Sequence, residues 1–219
     1  MKKTILMLAV TLSVITASAQ KFGITAGMNV TDRVRTPSFY THSIEHPLGN
    51  TIEVAEYLSS DWLPGFRAGV FMDFAITPHL SLIPELLFSQ KRTQLEMTTY
   101  PYNDGTNTTF YGAWSCTKAT LYYIELPVNI AYKFNFGGKQ SLFPFAGAYV
   151  AKAVSGNKSL GSGKLETKRI DYGLNYGLGY QHSHTIFKVQ YNQGLANLSN
   201  ISGNTDKNTN VAITVGYVF

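Results

Sequence analysis

Between Lys21 and Phe219, stretches recur in which apolar and polar residues alternate with a period of two, the spacing that puts every second side chain of a strand on one face. The pattern predicts eight strands: 21–30, 65–76, 80–91, 121–134, 142–151, 169–180, 186–193 and 210–219. In the first, Phe22, Ile24, Ala26, Met28 and Val30 share a face opposite Gly23, Thr25, Gly27 and Asn29. In the fourth, Tyr122, Ile124, Leu126, Val128, Ile130, Tyr132 and Phe134 oppose Glu125, Asn129 and Lys133. The fifth, LFPFAGAYVA, is apolar on both faces, and its direction stays open. No long helical periodicity competes with this pattern.

Eight charges lie inside these strands: Arg67, Asp73, Glu85, Lys91, Glu125, Lys133, Asp171 and Lys188. All eight fall on the less apolar face, which is otherwise rich in glycine and short side chains. Alternation alone does not say which face is inside. A soluble lipocalin-like barrel for an apolar ligand would turn the greasy rows inward, and a membrane barrel would turn them to lipid. The connections separate the two. Links after strands two, four and six are short, near Thr77-Pro78-His79, 135–141 and 181–185. Links after strands one, three, five and seven are long, about 31–64, 92–120, 152–168 and 194–207. Strict alternation gathers the long loops at one end, as in outer-membrane barrels with short periplasmic turns. The sequence therefore predicts an all-β, eight-stranded antiparallel up-and-down transmembrane barrel with both termini periplasmic. An even strand count closes the sheet without an edge. Asp104-Gly105 in the second long link is a hairpin-turn signal, so strands three and four are expected to continue as a protruding hairpin.

The first nineteen residues read as a signal peptide: Lys2 and Lys3, an apolar run over 5–15, then Ala17-Ser18-Ala19 before Gln20. Residues 20–219 form the expected mature barrel with four long external loops. The apolar run is too short for a spanning helix. Losing Lys2 and Lys3 takes the formal charge from +5 to +3, too diffuse a balance to predict nucleic-acid binding. Charged residues make up 14% of the chain, against roughly 25% in soluble domains, as a lipid-facing exterior requires. The lone Cys116 offers no internal disulfide, and its role is left open.

Segments SLIPELLFSQKR, YIELPVNIAYKF, FAGAYVA, DYGLNYGLGYQ, YNQGLANLS and VAITVGYVF, in this order, cover much of 80–219. On them the chain resembles the PorT-like outer-membrane β-barrels and, more distantly, the small OmpA- and OmpX-type barrels. The resemblance implies a place in a Gram-negative cell envelope and an architecture more than an activity. Tyr217 and Phe219 look like the signal that barrel-assembly machinery reads.

An eight-stranded barrel is just wide enough for side chains to fill. Arg67, Phe71, Asp73, Glu85, Glu125, Lys133 and Lys188 are expected to plug the lumen as a structural network of paired charges, which argues against a diffusion pore. His182 and His184 flank Ser183 in a short turn, but two ligands make a poor metal site, and no cofactor is expected. His42 and His46 read as solvated loop residues. A lipid-modifying enzyme, the alternative function, needs a general base, and no histidine falls in a predicted strand. Function is therefore expected in the loops. Phe39, Tyr40, Tyr57, Trp62, Tyr100, Tyr102, Phe110, Tyr111 and Trp114 could meet a protein or glycan partner, or anchor the barrel at the membrane interface. Lys152, Lys158, Lys164, Lys168 and Arg169 make the third loop basic.

Overall fold

The computed structural model describes residues 20–36, 39–45, 51–101, 114–157, 170–198 and 205–219. Ten strands run through them: β1 (Gln20–Thr36), β2 (Phe39–Glu45), β3 (Thr51–Ala75), β4 (Leu80–Pro101), β5 (Trp114–Tyr132), β6 (Phe134–Gly137), β7 (Gln140–Asn157), β8 (Ile170–His182), β9 (Thr185–Gly194) and β10 (Thr205–Val218). Eight of them form the wall in the order β1-β10-β9-β8-β7-β5-β4-β3, all antiparallel, and β1 pairs with β3 to close the ring. The predicted eight-stranded up-and-down barrel is the fold. β2 pairs only along upper β3, and β6 folds back on the start of β7.

The strands outrun their predicted ends. The link predicted over 31–64 is mostly strand: β1 runs to Thr36, β2 intervenes, and β3 starts at Thr51. That stretch carries no clean alternation, because nothing obliges one of its faces to be apolar once it leaves the barrel wall. β4 and β5 likewise stay paired up to Thr98↔Trp114, well into the link predicted over 92–120. Asp104-Gly105 lies outside the described residues. β7 reaches Asn157 and β10 begins at Thr205, so the third and fourth links are shorter than expected too.

Where the wall ends, the ring divides. β1 and β3 part after Thr31↔Leu63, and β5 and β7 part after Thr120↔Asn157. Above these points β2, β3, β4 and β5 continue as a four-stranded sheet, while β1 continues with β10 up to Thr36↔Thr205. Register shifts between Leu63 and Arg67 and between Tyr122 and Tyr123 fall at this rim. An extra residue there bends the strand and sharpens its twist, which lets a closed wall open into a sheet.

The open question of strand five has a packing answer. Phe143, Phe145 and Tyr149 of β7 point inward and Pro144, Ala146 and Ala148 outward. The interior has room for the rings because β8 opposes them with glycines: Phe143 pairs with Gly179 and Phe145 with Gly177. A Cβ on Gly179 would fall on the Phe143 ring. Gly179→Ala is therefore expected to destabilise the barrel by about 1–3 kcal/mol through overpacking. Adding Phe143→Ala should relieve the clash, and urea midpoints for refolding into lipid vesicles would measure both effects. Phe143 and Phe145 join Phe71, Ile83, Ala131, Ile186 and Val218 in an apolar cluster near the short-turn end.

Candidate functional site in the barrel lumen

Inward-facing positions of neighbouring strands meet across the barrel, and register decides which charges touch. Glu125 of β5 is 2% exposed and lies at the centre. Its Oε2 accepts from Arg67 Nη2 at 3.3 Å, and its Oε1 accepts from Ser89 Oγ at 2.8 Å. Lys91 Nζ lies 2.8 Å from the same Oε1 and 3.6 Å from Asp171 Oδ2. The Lys91 ammonium also sits over the rings of Tyr123 and Tyr149, 4.7 and 5.5 Å from their centroids. Tyr149 Oη donates to Asp171 Oδ2 at 3.3 Å, and Asn208 Nδ2 donates to it at 2.9 Å.

Nearer the turn end a second group forms. Lys188 Nζ donates to both oxygens of Glu85 at 2.7 Å, and Asn129 Nδ2 donates to Glu85 Oε1 at 3.3 Å. Asn175 donates to Asn129, so the amides extend the network across the lumen. Beyond the apolar cluster, at the turn-end mouth, Lys133 pairs with Asp73. Each of the eight charges singled out in the sequence takes part in an ion pair: Arg67, Lys91, Lys133 and Lys188 against Asp73, Glu85, Glu125 and Asp171. Four cations face four anions, and buried ions persist only when compensated in this way.

The outward face is the mirror image of this. Ile124, Leu126, Val128 and Ile130 on β5, and Ile213 and Val215 on β10, are exposed between two aromatic belts. The upper belt runs through Phe66, Phe88 and Tyr122, with centroids 6.1 and 5.8 Å apart, and includes exposed Trp62. The lower belt joins Phe22 to Phe219 at 5.9 Å, Tyr217 to His184 at 5.5 Å, and Tyr132 to Phe134 at 5.0 Å. From Tyr122 to Tyr132 a strand covers ~33 Å at ~3.3 Å per residue. At a tilt of about 40° that leaves an apolar band ~25 Å tall, the height of an outer-membrane barrel's girdled band. The greasy face meets lipid, and the soluble lipocalin-like reading fails on it.

The family profile described as "Outer membrane protein beta-barrel domain" matches residues 18–200. The chain belongs to this family. No curated protein matches the chain. Among solved structures, the outer-membrane protein OprG of Pseudomonas aeruginosa is 11% identical, with a TM-score of 0.51, covering 92% of this chain and 96% of that one. Ail of Yersinia pestis is 14% identical with a TM-score of 0.42, covering 92% of this chain and 100% of its own. Neisserial surface protein A is 13% identical with a TM-score of 0.44, at the same two coverages. The likeness to OprG supports the shared fold. The chain is thus an integral outer-membrane β-barrel embedded in lipid.

The remaining predicted residues scatter. Trp62 reaches the upper belt, while Phe39, Tyr40, Tyr57, Tyr100 and Trp114 lie in the strands of the upper sheet. Lys152 belongs to strand β7 and not to a loop. Histidines do occur in strands, contrary to expectation: His42 lies in β2 and His182 ends β8. Both fall in stretches where the sequence pattern had already faded or turned. His79, His182 and His184 are exposed at the turn end, and among the described residues no metal-binding cluster forms. Cys116 lies in β5. Tyr102, Phe110, Tyr111, His46, Lys158, Lys164, Lys168 and Arg169 fall outside the described residues, as do the first nineteen.

Sequence reading missed some of the polar partners. Tyr149 lies in the strand of open direction, and Asn208 falls between the fourth predicted link and the last predicted strand. Leu198 lies in the fourth predicted link, yet it is fully buried, with its N–H donating to the Asp206 carbonyl at 2.8 Å.

Proposed function

We propose that this outer-membrane barrel is a non-enzymatic interaction protein that works through the sheet standing above its wall. The observation that carries this reading is strand length. β3 has 25 residues and β4 has 22, whereas a transmembrane strand needs about 9–11. The excess builds the sheet of β2, β3, β4 and upper β5, whose β2 edge has no second partner strand among the described residues. A free edge of this kind can accept an extended partner segment through main-chain hydrogen bonds. A protein partner is the occupant that chemistry favours, with a glycan as the alternative met by the aromatic positions. A photo-crosslinker at Ser43 in β2 is expected to capture an external protein in intact cells, whereas one at Ser183 in the opposite turn should not. Equal capture at both positions would contradict the reading.

The same reading takes residues 1–19 as a signal peptide and 20–219 as the mature barrel, with both termini in the periplasm. Short turns at one end and long strands at the other support this orientation. Tyr217 and Phe219, both exposed on the lipid side, would be the pair presented to barrel-assembly machinery. Within the family, the ordered segments noted above support a PorT-like member. The paired charges and the apolar cluster support a plugged lumen with a structural role for Arg67, Asp73, Glu85, Lys91, Glu125, Lys133, Asp171 and Lys188. In planar bilayers the purified protein is then expected to show no steady conductance. A stable ohmic pore would contradict the plug.

A further inference from the structure

A cavity lies beyond the apolar cluster, in the mouth at the short-turn end, with a volume of about 580 Å³. It is lined by Lys21, Asp73, Lys133, Lys139, Gln181 and His184, among others. One step further into the barrel on β3, β4 and β7, the lining residues Asp73, Ser81 and Ser141 give way to Phe71, Ile83 and Phe143 of the buried apolar cluster. The mouth is therefore a cup backed by an apolar layer, in the size range of small-molecule sites.

Its electrostatics are one-sided. Asp73 is the acidic side chain in the lining, and Lys133 already holds it. Lys21 and Lys139 are exposed and make no ion pair among the described residues. Two lysines thus line the cup without a carboxylate partner among the described residues, while the His184 ring stacks on Tyr217 at the outer rim. Between the charges the lining mixes neutral donors and acceptors, Ser141, Ser183, Asn135 and Gln181, with apolar surface from Ala75, Pro78 and Val218.

The rim is built from two tight hairpin turns. Lys139 (φ 65°) and Ser183 (φ 53°) are the non-glycine residues with left-handed backbone among those described, and both line the cup. The Ser183 N–H donates to the Lys139 carbonyl at 2.8 Å, and Gln181 Nε2 donates to the Ser183 carbonyl at 2.8 Å. The first bond ties the β6–β7 hairpin to the β8–β9 turn, and the second braces that turn from within. Left-handed backbone is what tight hairpin turns require, and here it fixes both turns at the rim of the cup.

We propose that this cup binds an acidic sugar: the uncompensated lysines take its carboxylate, and the serine and amide side chains take its hydroxyl and acetamido groups. A bare oxyanion would use the lysines and leave the neutral lining without a task. The inference concerns the end opposite the protruding sheet and stands apart from the partner proposed there. Under the proposed orientation such a sugar would belong to a periplasmic polymer.

Calorimetry on the detergent-solubilised barrel tests it, with N-acetylmuramic acid, neutral N-acetylglucosamine and inorganic phosphate as probes at one salt concentration. Saturable binding of the acid is expected, with the neutral sugar and phosphate at least about tenfold weaker, the equivalent of one charge-assisted hydrogen bond. A Lys21→Ala/Lys139→Ala variant should lose about tenfold in affinity for the acid. Both lysines are exposed, so heat-modified gel mobility should confirm that the variant stays folded. Failure of the acid to saturate, equal binding of the neutral sugar or of phosphate, or unchanged affinity in the folded variant would each overturn the proposal.

Discussion

Leu126→Arg is expected to keep the protein from accumulating as a folded barrel in the outer membrane, and Ile213→Arg to do the same. Both side chains are exposed, at 48% and 61%, within the apolar band between the aromatic belts. They lie on opposite stretches of wall, on β5 and β10. An arginine near the bilayer midplane costs about 2–4 kcal/mol in a barrel, falling toward zero at the interfaces. Against a typical stability of about 5–15 kcal/mol this is a large fraction, and it acts on the assembling chain as well. In a soluble barrel with the greasy rows inside, the same two side chains would be core, so the dependence on membrane depth, and not the loss alone, marks lipid. Membrane fractions probed for the heat-dependent mobility shift of closed barrels measure the outcome. Trp62→Arg serves as the depth control: at the upper belt the same charge should be tolerated.

The second large effect belongs to the lumen. Glu125→Ala removes the shared partner of Arg67, Ser89 and Lys91 in one step. Lys91 keeps Asp171 at 3.6 Å, but the 2% exposed Arg67 loses its ion pair. Breaking a buried ion pair by deleting one partner costs about 3–5 kcal/mol, because the other charge stays buried and uncompensated. The urea midpoint of refolding into vesicles should fall accordingly, with little change in slope. The Glu85–Lys188 pair gives the internal comparison. Glu85→Leu alone should be strongly destabilising, whereas Glu85→Leu with Lys188→Met should recover most of the loss, since a matched apolar pair leaves no orphan charge. A Glu125→Ala barrel as stable as wild type would mean that water reaches Arg67 and that the lumen is open.

How far the sequence carried this account follows from where lipid constrains it. Within the membrane band one face must be apolar along the whole strand, so the phases of β1, β4, β5, β8, β9 and β10 were legible residue by residue. Above the band that demand ends. THSIEHPLGNTIEVAEYLSSD shows little alternation, and β2 with the first turns of β3 read as loop. β7 was illegible for another reason: both its faces are apolar, and only the glycines of β8 decide that its rings point in. The eight strand charges could be placed on one face, but not paired. Pairing depends on register between strands, which period two does not encode. The Lys91 cage of Tyr123, Tyr149, Glu125 and Asp171 draws on three strands beyond its own, β5, β7 and β8, and no local pattern announces it. The turn-end cup was invisible too, because its lysines come from β1, from the junction of β5 and β6 and from a hairpin turn.

The most direct test is the phase of accessibility along β5 in a lipid bilayer. Nitroxide labels would be placed singly at Ile124, Leu126, Val128 and Ile130, and at Pro127, Asn129 and Ala131 between them, and their collisions with lipid-dissolved oxygen measured. High collision rates at 124, 126, 128 and 130, with low rates at 127, 129 and 131, are the predicted result. The opposite phase, or no alternation, would contradict the account.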